Sequence, residues 1–147
     1  MRNKSFQLSI IFLIYSISVF GQESENNLFD CYDGSQTEMT ICSLEEYQYY
    51  DSILNVKYKD LMNILNSRIK EYSEFDDDFE LKQVKSFKNV IIESQRSWII
   101  LRDKNVKIKE LMYQGGSMCA MAMNMQLTHD TKKRIEFIDE LIESENR

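Results

Sequence analysis

Residues 35–65 read SQTEMTICSLEEYQYYDSILNVKYKDLMNIL, and this stretch decides the fold. Ser35 with Glu38 three residues later is the signature of a capping box, so a helix is expected to start near Gln36. From there Leu44, Tyr47, Tyr50, Leu54, Tyr58, Leu61 and Leu65 recur at intervals of three or four, the period of a helix buried along one face. Neither glycine nor proline interrupts the chain between Ser35 and Gln114, and proline is absent altogether. Turn-rich all-β folds and glycine-rich phosphate loops are thereby set aside.

Toward the C-terminus the pattern fades between Glu71 and Asp78. There Glu74, Asp76, Asp77 and Asp78 crowd together as a solvated turn, and their charge favours the start of a following helix. A second helix is expected from about Phe79 to Tyr113. Its stripe comprises Leu81, Val84, Phe87, Ile91, Gln95, Trp98, Arg102, Asn105, Ile108 and Met112, and Gly115-Gly116 stops it. A third helix, beginning near Ser117 or Met118, carries Met121, Met125, Ile135, Ile138, Leu141 and Ile142. Thr128 to Thr131 is its weakest part, where a kink is expected. Short connections make neighbouring helices antiparallel, so the expected fold is all-α, three long helices in an up-down-up bundle.

With the first turn centred near Phe75, Asn55 is expected to face Gln95. Asp51 then falls within a turn of Trp98 and Arg102. Polar groups beside an apolar stripe must pair when buried. An Asp51–Arg102 ion pair, or Asp51 accepting from the Trp98 indole, is therefore expected as an internal structural network.

Toward the N-terminus, Arg2 and Lys4 precede an apolar stretch from Phe6 to Phe20 that closes on Val19-Phe20-Gly21, the layout of an export signal. About 15 apolar residues fall short of the ~20 that a membrane span needs, which favours cleavage over an uncleaved anchor. The expected organisation is a signal over 1–21, a flexible polar lead-in over 22–30 and a single helical domain over 31–147, in a periplasmic or secreted protein. Export makes the cysteines candidates for oxidation. Cys31 and Cys42, separated by the turn residues Asp33-Gly34-Ser35, are expected to bridge and tie the N-terminal segment to helix one. Such a loop is worth roughly 3 kcal/mol on the chain-entropy model. Cys119 is left as a shielded thiol, or less simply as one half of an intermolecular bridge.

Removing Arg2 and Lys4 from 18 basic residues leaves 16 against 24 acidic ones, a net charge of −8. Such a chain repels a phosphate backbone, so nucleic acid is a poor partner, whereas a cationic protein would be steered toward it. A single histidine, His129, excludes multi-histidine metal sites. No cofactor is expected. Met118, Cys119, Met121, Met123 and Met125 offer soft ligands suited to Cu(I), but Met118, Met121 and Met125 share one helical face and read more simply as core packing. The one available Cys–His pair, Cys119 and His129, lies about 15 Å apart along a continuous helix, so an enzyme is not expected.

Several elements taken in order resemble the lysozyme inhibitor LprI-like N-terminal domain family. They are Cys31 with Ser35-Gln36-Thr37-Glu38-Met39-Thr40-Ile41-Cys42; Tyr47, Asp51, Leu54-Asn55, Tyr58 and Leu61; Gln95-Arg96-Ser97-Trp98 with Arg102-Asp103; Gly115-Gly116-Ser117-Met118 with Met121; and Thr131-Lys132-Lys133-Arg134. The resemblance implies a small helical envelope domain, with lysozyme inhibition as the activity that names the family. The family pattern has a second cysteine pair, whose positions fall on Val106 and Gln126 here, so that bridge is absent. On this basis the expected function is an exported binding protein that inhibits a cationic lysozyme by occluding its cleft. The alternative is a structural or stress-response envelope module with an unknown protein partner. Candidate contact regions are the turn Gly115, Gly116, Ser117 and Met118, which could protrude, and the acidic turn Asp76, Asp77 and Asp78.

Overall fold

The computed structural model describes residues 29–75 and 78–145. The segment expected to be an export signal, most of the expected lead-in, Asp76 and Asp77 lie outside the described residues. Three helices account for nearly all of the rest: α1 (Gln36–Glu74), α2 (Asp78–Met112) and α3 (Cys119–Glu145). Among the described residues there is no strand, and no helix is long and apolar enough to cross a membrane.

The start of α1 is held by three devices that act together. The Ser35 hydroxyl accepts from the Glu38 N–H, and the Glu38 carboxylate accepts from the Ser35 N–H at 2.7 Å, completing the capping box. The Ser35 side chain, then its backbone N–H, hold the Glu38 carboxyl below its ordinary value. Gly34 adopts φ +104°, and a Cβ there would stand 2.9 Å from the Glu38 carboxylate, so glycine is required both by conformation and by space. The third device is the disulfide between Cys31 and Cys42, with Cα atoms 5.3 Å apart. It folds the N-terminal segment back on α1, where Phe29 meets Tyr49 ring to ring at 5.7 Å.

Cross-helix partners order the elements. Along α1 and α3 the pairs ascend together: Gln36 with Met121, Ser43 with Asn124, Glu46 with Lys132, Lys57 with Asp139 and Arg68 with Glu145. Along α2 the order reverses. Asp51 meets Arg102 while Asn66 meets Lys88, and on α3 Arg134 meets Gln95 while Asp130 meets Asn105. The most extensive packing joins α1 to α3, which are not sequence neighbours.

Leu54, Leu61 and Leu65 of α1, Ile91 of α2 and Ile138 of α3 form the centre of the core, with Tyr58, Met62, Phe87, Trp98 and Ile135 packed around it. The apolar stripe read from the sequence needs correction at its ends. Leu44 in α1 and Ile108 and Met112 in α2 are exposed, because their side chains lie on faces turned away from the neighbouring helices. No break interrupts the chain at Thr128–Thr131, where a kink is expected from the sequence. α3 is unbroken from Cys119 to Glu145, and Thr128 and Thr131 are buried within it, so packing overrides their modest helix propensity.

Candidate functional site

The polar residues singled out in the sequence divide into two clusters on neighbouring levels of the bundle. In the first, Arg102 of α2 stands 3.7 Å from Asp51 of α1, the partner expected from the sequence, and holds Asp103 of its own helix at 2.9 Å. Its guanidinium also lies 5.2 Å from the centre of the Trp98 ring, a cation–π contact. Tyr47 donates toward Asp51 at 3.4 Å, and burial pushes its phenol up. Asn55 does not face Gln95. It is exposed and donates to Asp51 one turn back on its own helix. Asp51 is thus occupied by Arg102, Tyr47 and Asn55.

Gln95 belongs to the second cluster, centred on a residue that the periodicity argument missed. Arg134 of α3 is 7% exposed, yet among the described residues it has no carboxylate partner. Its Nε donates to Gln95 Oε1 at 2.8 Å and its Nη2 to Ser94 Oγ at 3.2 Å. The rings of Phe137 and Trp98 take up the rest of its charge, at 4.8 and 5.8 Å. Burial lowers the Arg134 pKa, with the Tyr58 side chain opposing. The missed signal is spacing: Thr131, Arg134 and Ile138 share one face at intervals of three and four. Both clusters cross-link helices, and neither lines a cleft.

A third polar group sits at the front end. Lys132 of α3 reaches Glu46 of α1 at 3.1 Å and lies 4.3 Å over the Tyr50 ring. Burial alone would lower this ammonium, but the Glu46 hydrogen bond and charge, aided by Tyr50, outweigh it and hold it above its ordinary value. The pair forms one wall of a half-open groove of about 240 Å³, with Phe29, Met121, Met125 and His129 along the others.

The Cys–His reading fails on geometry. Cys119 and His129 lie ten residues apart on one unbroken helix, about 15 Å. The Cys119 thiol is instead directed toward the Glu110 carbonyl at 3.7 Å and Met123 Sδ at 4.0 Å. At Val106 and Gln126, where the family pattern has its second cysteine pair, polar contacts take over. Gln126 of α3 and Asn105 of α2, the neighbour of Val106, donate to the two oxygens of Asp130 at 2.9 Å each.

The candidate contact regions are not brought together. Asp78 opens α2, while Gly115–Met118 follows its other end, about 50 Å away. The Gly115–Met118 turn is exposed throughout; Gly115 has φ +78° and nothing within 4 Å of where a Cβ would stand. Met118 is about half exposed. The turn is thus an uncharged, projecting tip.

The described residues therefore present cross-linked helices and a bare tip in place of an enclosed site. A family profile described as Lysozyme inhibitor LprI matches residues 31–138. The chain belongs to that family. The match begins at the disulfide cysteine Cys31 and ends at the core residue Ile138, so both polar clusters and the tip fall inside it. An uncharacterized protein of Rhizobium meliloti (strain 1021) is 30% identical over 112 residues, covering 75% of this chain and 76% of the relative. No solved structure matches the chain.

Proposed function

We propose that this protein is exported to the periplasm or beyond and inhibits a lysozyme by docking over its cleft. Membership of the LprI family over residues 31–138 carries this reading. Lysozyme works with two carboxylates flanking the sugar in its cleft, so an inhibitor need only exclude substrate. Of the two contact regions, the Gly115–Met118 tip suits that task better than the Asp76–Asp78 turn. An acidic turn would be repelled by the carboxylates at the centre of the cleft, whereas Gly115, Gly116, Ser117 and Met118 bring no charge there. Tyr113 and Met118, both partly exposed, add apolar surface that would be desolvated in a complex. The acidic remainder of the molecule then acts at long range, drawing in a cationic enzyme at low salt.

A cell-wall lysis assay with purified protein tests the proposal. Excess protein is expected to slow lysis by at least one cationic lysozyme in low salt. Met118→Asp, which places a charge on an exposed side chain at the N-cap of α3, is expected to weaken inhibition at least tenfold with no loss of helical circular dichroism or melting temperature. Full-rate lysis by several lysozymes at excess protein contradicts the inhibitor reading. Unimpaired inhibition by Met118→Asp moves the contact away from the tip.

A further inference from the structure

An amphipathic helix in a three-helix domain needs one apolar face, and α2 has two. The inner face carries Val84, Phe87, Ile91 and Trp98 into the core. On the outer face Val90, Ile100, Leu101, Ile108, Leu111 and Met112 are each more than half exposed. At 3.6 residues per turn these six fall within a sector of about 120°, along about 33 Å of helix. The same sector holds Glu93, Ser97 and Lys104, and Lys107 lies at its edge. Together the six apolar residues expose surface on the order of 500 Å², interrupted by those polar side chains, at the upper end of what a monomer exposes, and a helix apolar on both sides is normally covered.

We infer that the outer face of α2 is covered by α2 of a second copy of this chain, the two helices antiparallel about a two-fold axis between Ile100 and Leu101. About that point four of the six apolar residues come opposite one another. Ile100 comes opposite the partner copy's Leu101, and Val90 opposite Leu111, so apolar residues meet at the centre and toward both ends. Ser97 comes opposite Lys104, a small side chain facing a long one. Glu93 comes opposite Ile108, with Lys104 and Lys107 on the adjoining turns. Glu93 and Lys104 have no partner among the described residues, and the two-fold supplies one to each, twice per dimer. A parallel pairing would instead set Glu93 against Glu93 and Lys104 against Lys104. An isologous contact of this kind closes on itself and stops at two copies. The apolar patch with its charged flank approaches the roughly 800 Å² per partner of a stable interface. The Gly115–Met118 tips then emerge at opposite ends of the paired helices, both free.

Sedimentation equilibrium of the protein expressed from its full sequence, as the cell processes it, tests the inference. The expected result is a concentration-dependent dimer. Leu101→Asp is expected to abolish it, and Glu93→Lys to weaken its Kd at least tenfold. Combining Glu93→Lys with Lys104→Glu and Lys107→Glu is expected to restore the Kd to within threefold. All these side chains are exposed in the single copy, and unchanged circular dichroism shows that each variant folds. A monomer at 100 μM or so, an assembly larger than two, a dimer indifferent to Leu101→Asp, or failure of the charge swap to restore it would each overturn the inference. None of these outcomes bears on lysozyme inhibition, which is read separately by the lysis assay.

Discussion

The seam between α1 and α3 and the outer half of α2 are built from similar residues to opposite ends. At the seam Leu61, Leu65 and Ile138 are fully buried, and Glu46–Lys132, Lys57–Asp139 and Arg68–Glu145 tie the two helices along its length. In α2 only Val84 and Ile91 are buried, while eight large apolar residues of the same helix are exposed. A leucine or isoleucine therefore says little by itself. What matters is whether its face is turned toward a neighbouring helix: Ile91 is buried, while Val90 beside it is more than half exposed. The seam holds the fold, and the exposed half of α2 carries apolar side chains that no helix among the described residues covers.

The largest effect that could break this contrast is a cavity at the seam. Leu61→Ala is expected to cost about 3 kcal/mol in urea unfolding, whereas Ile108→Ala on the outer face of α2 should change stability by less than about 0.5 kcal/mol. Equal costs would mean that α2 is packed as tightly as the seam. Next comes the front end of the seam. Replacing Cys31 and Cys42 together by serine is expected to cost about 3 kcal/mol, with hydrogen exchange rising first in the opening turns of α1. The third test sharpens how α2 is held. Arg134→Met removes the buried guanidinium and strands Gln95 and Ser94, for an expected loss of about 1–3 kcal/mol. A neutral result would show that the polar bridge between α2 and α3 contributes no net stability.

The smallest effect is one of pH. The Glu38 carboxyl is held below its ordinary value in the fold by Ser35. Its contribution is therefore complete above the unfolded pKa of about 4.3 and is lost as pH falls through the lower folded value. The melting temperature should decline on acidification across that window, and Glu38→Gln should flatten the decline. An unchanged slope in Glu38→Gln would assign the acid sensitivity to other carboxylates.

Helix number, helix starts and the disulfide were legible because each rests on local chemistry. Ser35 and Glu38 specify a cap by themselves, Gly115-Gly116 specify a stop, and Cys31 and Cys42 need only a short turn between them. Level matching between helices reached the contact of Asp51 with Arg102. It misplaced Asn55, since an amide one turn from a carboxylate on the same helix finds that partner without crossing to another. Arg134 was missed because a charged residue is read as a solvated face unless its flanking spacing, here Thr131 and Ile138, is weighed first. The exposure of Ile108 and Met112 was not legible, because periodicity reports that a face is apolar and not what covers it.

The central claim is that this LprI-family chain acts by docking on a cationic lysozyme. Its most direct test is the binding affinity for such an enzyme, measured by calorimetry at low and high salt. A saturable complex is expected, whose affinity falls as ionic strength rises and which is weakened by Met118→Asp. No measurable heat of binding to any of several cationic lysozymes at low salt, with the protein shown to be folded, would contradict it.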